Sequence, residues 1–265
     1  MRESKSTSMT PVGLLRRWVV DYFNPHDGAA CRDFIEPDYA LHIGDTVFAG
    51  RDEQWLPAVA AQMQLFPGLG MTVHQVIAGQ DWVAAAFSEH GASQGRVACW
   101  SGVAIYKSNG TRLTGCVAQE DYMTRQRQLK SGVADAVDPP AAAPWDTAAS
   151  PRNEAAEAVV TRWLKGSWPS AVAAVRCDDE HITRAPLQFD VASCEIGMLR
   201  SSGADVAFHV RQSGHYRGGF ADVAPDARLA TLDCNGIVRV EDGQVRSGRI
   251  IRDRVGLRAR LRKAA

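Results

Sequence analysis

An imperfect internal repeat divides this chain, and a duplication restricts it to two similar units placed side by side. One copy runs from Phe66 to Leu129 and the other from Phe189 to Leu261. Each places a Val-Ala strand (Val83-Ala84, Val206-Ala207) before a Gly-x-x-x-Gly turn, at Gly91 and Gly95 or at Gly214 and Gly218. A Gly-aliphatic strand, a turn ending in Gly110 or Gly243, and a final strand carrying Asp121 or Asp253 complete the unit. Eight residues after each Asp stands a Leu. The copies differ upstream. Trp163 follows Trp18 by 145 residues, whereas Val206 follows Val83 by 123, so 22 residues are missing from the second copy ahead of its repeat.

At 265 residues the chain is long enough for about two domains with separate cores. Apolar residues make up 45% and charged residues 23%, a soluble globular balance, and no run reaches the length of a membrane span. The N-terminal stretch has no apolar segment of signal-peptide type, which points to a cytoplasmic protein. Six cysteines without a Cys-x-x-Cys pair read as reduced, mostly buried thiols, with neither a disulfide framework nor a metal site. Formal charge sums to zero, so no global field recruits nucleic acid. Only the C-terminus is locally basic, from Arg246 to Lys263, and such a run is a solvated face unless an acidic partner meets it.

Helical spacing of Leu14, Leu15, Trp18, Val19 and Tyr22 predicts an amphipathic first helix, and Asp27 caps a short second one through Phe34. Residues 37–50 alternate as a strand, with Tyr39, Leu41 and Ile43 on one face and Ala40 and His42 on the other. Residues 51–66 read as a third helix, provided that Pro57 falls in its first turn. Four strands follow, with a two-residue hairpin turn expected at Asn109-Gly110. The order is α+β, helices packed on one face of a curved antiparallel sheet. Domains are expected at 11–130 and 153–265. Between them, residues 131–152 form an Ala/Pro-rich linker whose Trp145 docks on a domain surface.

Phe66, Pro67 and Leu69, then Gly79, Asp81, Val83 and Ala84, and finally Asp121 with Gln128 and Leu129 resemble the SnoaL-like polyketide cyclases of the nuclear transport factor 2 superfamily. The resemblance implies tandem cone-shaped α+β barrels, the second shortened, each with its helices closing the concave sheet face. It also implies a cofactor-independent acid/base enzyme (cyclase, isomerase or dehydratase) on an apolar carbonyl-containing or polycyclic small molecule. A non-catalytic binding or scaffold protein is the alternative, and an epoxide hydrolase, which needs a second carboxylate in the pocket, is the third reading. By position in the family pattern Asp121 is the candidate acid/base, unless it pairs with an Arg or caps the next turn. His42 is its candidate helper, depending on which strand face looks inward. Tyr22, Tyr39, Trp55 and Trp100 are candidate walls for an apolar substrate, with His90 at the rim. Trp18 is repeated as Trp163 and so reads as core. No phosphate loop, nucleophile triad or metal-ligand spacing is found. The second unit is expected to supply in cis the sheet contact of a dimer, leaving a monomeric pseudo-dimer, with a homodimer as the alternative.

Overall fold

A computed structural model describes residues 9–166, 172, 174–225 and 227–263; the first eight residues, part of the stretch read for a signal segment, lie outside them. The first unit opens with α1 (Pro11–Arg16), continued in wider turns over Arg17–Phe23. Thr10 caps it and Pro11 stands in the first turn, where a missing N–H costs nothing. Asp27 caps a single 3-10 stretch, Gly28–Asp33. Strands β1 (Ile35–Ile43) and β2 (Thr46–Ala49) form a hairpin, and wide turns at Arg51–Trp55 lead into α2 (Leu56–Leu65), with Pro57 in its first turn. Then come β3 (Gly70–Ala78), β4 (Trp82–Ser93), β5 (Arg96–Ser108), β6 (Leu113–Glu120) and α3 (Tyr122–Ser131).

The β5–β6 connection is four residues long rather than two. Its cause is local: Asn109 Oδ1 accepts from the backbone N–H groups of Thr111 and Arg112 and from the Thr111 hydroxyl, organising a longer loop.

The second unit contains α4 (Glu154–Lys165), β7 (Val175–Cys177), a single turn α5 (Glu180–Thr183), β8 (Gln188–Ser202), β9 (Asp205–Gly218), β10 (Leu229–Glu241), β11 (Gln244–Arg252) and α6 (Arg254–Lys263). Its sheet runs β7-β11-β10-β9-β8, and the first runs β2-β1-β6-β5-β4-β3. Strand for strand the orders agree, including a parallel pairing of β1 with β6 and of β7 with β11. The deletion read from the repeat offsets falls where the second unit has only three-residue β7 and short α5 before its meander. No helix among the described residues is long and apolar enough to cross a membrane.

Each unit has its own core on the concave face of its sheet, and a third apolar cluster joins the two sheets back to back. Ile77, Trp82, Ala84, Val103 and Ile105 of the first sheet meet Ala207, Ile237 and Ile251 of the second. Period-2 alternation explains both layers, since one strand buries alternate side chains toward its helices and the others toward the opposite sheet. The linker is fastened along this edge. Ala141 N–H donates to the Val73 carbonyl at 2.9 Å, and Trp145 packs against the first core.

In both sheets a glycine faces a phenylalanine across a strand pair, Gly102 opposite Phe87 and Gly236 opposite Phe208. A Cβ on Gly236 would lie 2.4 Å from Phe208 Cζ and 3.1 Å from Ile250 Cγ1, both in closed core. Gly236→Ala is therefore expected to destabilise the fold by about 1–3 kcal/mol through overpacking. An unchanged urea midpoint would show that Phe208 has room to move.

Candidate active site

The concave face of the first sheet holds a cavity of about 110 Å³ under α1 and α2. On β1 the inward face is the one with Tyr39, Leu41 and Ile43; on β6 it is the one with Cys116, Ala118 and Glu120. Trp18, Trp55, Phe87 and Tyr106 supply most of the remaining wall. Helix α2 buries none of its residues, because its inner side (Ala58, Val59, Gln62) looks onto the cavity instead of a packed core. The half-buried Leu41, Ile43, Phe48 and Val59 mark the open side.

Two carboxyl groups interrupt the apolar wall, Glu89 on β4 and Glu120 at the end of β6. They flank β5, where Glu89 pairs with Trp100 and Glu120 with the bare Gly102. The two carboxyls hydrogen-bond each other. Gln62 Nε2 donates to Glu89 at 2.9 Å, Trp100 Nε1 donates to Glu120 at 2.9 Å, and Tyr122 also hydrogen-bonds Glu120. Glu120 touches the cavity space yet lies deep within protein. Arg125 supplies a compensating positive charge, its guanidinium stacked 4.2 Å from the Tyr122 ring centre and 5.0 Å from that of Trp100.

Burial pushes Glu89 well above the usual carboxyl range, and the neighbouring Glu120 adds to it, with Arg125 only partly opposing. Burial raises Glu120 as well, but hydrogen bonds from Trp100 and Tyr122 and the charge of Arg125 favour its ionised form. Such a pair shares one proton across a neutral acid and an ionised base. Of the two, Glu89 is the more strongly raised.

A carboxyl whose value is raised by folding holds a proton that the unfolded chain releases. Its favourable contribution is therefore full below the ordinary glutamate value of 4.5 and is lost as pH rises toward the raised value. Glu89→Gln, which has no proton to lose, is expected to flatten the decline of stability as pH rises above the ordinary glutamate value of 4.5. Urea unfolding across that range measures it, and an unchanged slope would mean that Glu89 is ionised in the fold.

Among the residues singled out from sequence, Tyr39 and Trp55 line the cavity, and Trp100 stands behind it as the donor to Glu120. Tyr22 is buried beside Trp55, ring centres 5.4 Å apart, and faces an outer groove with His26 and Leu56. His90 points away from the cavity and meets Thr72 Oγ1 at 3.2 Å. His42 is exposed on the opposite face of β1, toward the second unit. Asp121 is also outside the cavity. Its carboxylate caps α3, accepting from Thr124 N–H and hydroxyl, and pairs with Arg254 of the second unit. It directly follows Glu120 at the end of β6, and successive residues of an extended chain point to opposite faces.

Glu89 and Glu120 escaped the sequence reading, although a signal for them exists. Glu89 continues the inward parity of Ala85 and Phe87, and Glu120 that of Cys116 and Ala118. An acid in phase with a buried apolar face is the mark of a functional carboxyl. The basic C-terminus is occupied within the chain, with Arg254 on Asp121, Arg258 on Asp222 and Arg260 on Asp45. No group of three or more His, Cys, Asp or Glu that could hold a metal occurs among the described residues.

Comparison with known proteins matches residues 15–115 to a family model described as the SnoaL-like domain. Among solved structures, a protein of Jannaschia sp. CCS1, provisionally assigned as a SnoaL-like polyketide cyclase, is 15% identical. It covers 49% of this chain and 98% of its own, with a TM-score of 0.43. IdmH of Streptomyces antibioticus, provisionally a polyketide cyclase, is 21% identical over 46% of this chain and 99% of its own, with a TM-score of 0.42. A provisional polyketide cyclase of Acidithiobacillus ferrooxidans is 20% identical over 50% and 100%, also with a TM-score of 0.42. No curated relative matches the chain.

Proposed function

We propose that the first unit, whose residues 15–115 match the family model of the SnoaL-like domain, is a cofactor-independent acid/base enzyme in which Glu120 is the base and Glu89 the acid. The observation that carries the reading is two hydrogen-bonded carboxyls, Glu89 buried and Glu120 half-buried, at one end of an otherwise apolar cavity. Neutral Glu89 donates its proton to the substrate's carbonyl oxygen while ionised Glu120 removes one from the carbon α to that carbonyl, giving the enol isomer, and the proton then passes from Glu120 back to Glu89 through their mutual hydrogen bond. The substrate is a small apolar carbonyl compound, or one ring of a larger molecule. At about 110 Å³ the cavity is of the order that holds a single benzene ring.

The second carboxyl also favours a second reading, addition of water to an epoxide. There Glu89 protonates the ring oxygen as it leaves, and Glu120 takes a proton from the water that attacks carbon. Mass spectrometry of a metabolite extract incubated with wild type and with Glu120→Gln separates these readings. Consumption of a compound by wild type alone, with its mass unchanged or reduced by one water, supports isomerisation or dehydration, whereas a gain of one water supports the epoxide reading. A molecule that co-purifies with both proteins, with none consumed, would mean a binding protein and overturn both.

The working unit is a single chain. Because the outer face of the first sheet is already covered by the second, sedimentation is expected to give 28.8 kDa, and twice that mass would contradict it.

A further inference from the structure

Arg125, near the start of α3, acts electrostatically on both cavity carboxyls and pairs with neither. Its side chain is half-buried, and among the described residues no hydrogen bond or ion pair engages the guanidinium. Three aromatic rings hold it instead. Its central carbon lies 4.2 Å from the ring centre of Tyr122, 5.0 Å from that of Trp100 and 5.2 Å from that of Phe66, and the last two rings are 5.4 Å apart.

Two of these rings have a second task. Trp100 stacks on Arg125 and donates its Nε1–H to Glu120, and Tyr122 stacks on Arg125 while its hydroxyl hydrogen-bonds Glu120. An indole N–H or a phenol oxygen lies in the plane of its ring, whereas a stacked cation lies above that plane. Carboxylate and guanidinium are therefore fixed to the same rigid groups in different directions.

That separation has a chemical consequence. A guanidinium in direct contact with a carboxylate donates to both of its oxygens and makes it a weaker base. Held on rings, the same charge acts through space and occupies no oxygen. The other groups around the pair offer no charge. Gln62 of α2 is an amide, and burial keeps Tyr22, Tyr106, Cys116 and Tyr122 in their neutral forms by raising each of them.

We propose that Arg125 is a positioning residue of the carboxyl pair: caged by Phe66, Trp100 and Tyr122, it holds the pair at one negative charge while leaving the oxygens of Glu120 open to a substrate proton. The inference rests on the acid/base reading of that pair and adds the group that decides at what pH the base is present. Without the cation a pair that carries one proton takes up a second more readily, and the doubly protonated pair contains no base.

Carbon-13 NMR of the full chain, labelled at its glutamate carboxyl carbons, reads this without substrate, with the two signals assigned by their loss in Glu89→Gln and Glu120→Gln. Arg125→Met and Arg125→Gln, two uncharged helix formers, are each expected to raise the lower of the pair's two titration steps by about one unit, the scale of one nearby opposite charge. Arg125→Lys, whose ammonium is also attracted to ring faces, is expected to leave that step near its wild-type position. A step that stays in place in the uncharged variants would overturn the proposal. So would a step that moves as far in Arg125→Lys, which would show that the shape of the side chain matters rather than its charge. Because turnover is not measured, a protein that consumes no compound would strike the enzyme reading and leave the hold of Arg125 on the pair standing.

Discussion

Arg254→Met is expected to cost the fold about 3–5 kcal/mol, because it strips the shared cation from a buried cluster of carboxylates. Arg254 comes from the start of α6 in the second unit and is almost wholly buried. Its guanidinium pairs with Asp121 of the first unit, lies 2.8 Å from Asp179 and 3.3 Å from Asp178, and is accompanied by Arg252 on Asp178 and Arg127 on Asp179. Burial, joined by the charges of Asp178 and Asp179, raises Asp121 above the ordinary aspartate range even with Arg254 opposing it. Burial also works against ionised Asp179, but Arg254, Thr124 and Arg127 outweigh it and hold that carboxyl below the ordinary range. With methionine in place the carboxylates repel one another in low dielectric, and protonation is the remaining relief. The deficit should therefore shrink as pH falls and Asp121 takes up its proton. Urea unfolding at neutral and acid pH measures both effects. A deficit that is small, or equal at both, would mean that the arginine stem rather than its charge matters.

On the proposed chemistry, Glu120→Gln and Glu89→Gln are each expected to lower kcat by about 10²- to 10⁴-fold, the scale of a lost general acid or base. The double variant should be scarcely worse than the poorer single one, since two groups that share one proton act as a unit. Glutamine at position 120 retains an oxygen to accept from Trp100, so the loss should appear without unfolding. Multiplicative losses in the double variant would show two independent groups and break the pair assignment.

The order of elements along the chain, the duplication and the site of the deletion were legible in the sequence because each rests on short-range signals (period-2 alternation, turn glycines and repeat offsets), whereas the parallel pairings of β1 with β6 and β7 with β11, made between strands distant in sequence, were not. The same alternation separated Tyr39, Leu41 and Ile43 from His42, but it could not say which set faces the helices. That depends on what covers the sheet, and here both sides are covered, one by helices and one by the second sheet. The carboxyl pair was harder to see, since Glu89 and Glu120 are 31 positions apart and meet only through the registers of β4 and β6 on β5. Asp121 drew notice as the last acid of its strand, in a place where both halves carry one. In both halves that Asp caps the following helix, Asp121 through Thr124 and Asp253 through Gly256, which is an architectural reason for the repetition.

Fusion of the two units releases a constraint that symmetry would impose. The residue after the capping Asp is Tyr122 in the first unit and Arg254 in the second. Tyr122 faces the cavity and holds Glu120, whereas Arg254 reaches across to grip the cap of the very helix that Tyr122 begins. In a dimer of identical subunits one codon would have to serve both tasks, so that gaining the clamp would forfeit the wall. Joined on one polypeptide, the copies are free to specialise, and the half that no longer shapes the cavity can brace the half that does.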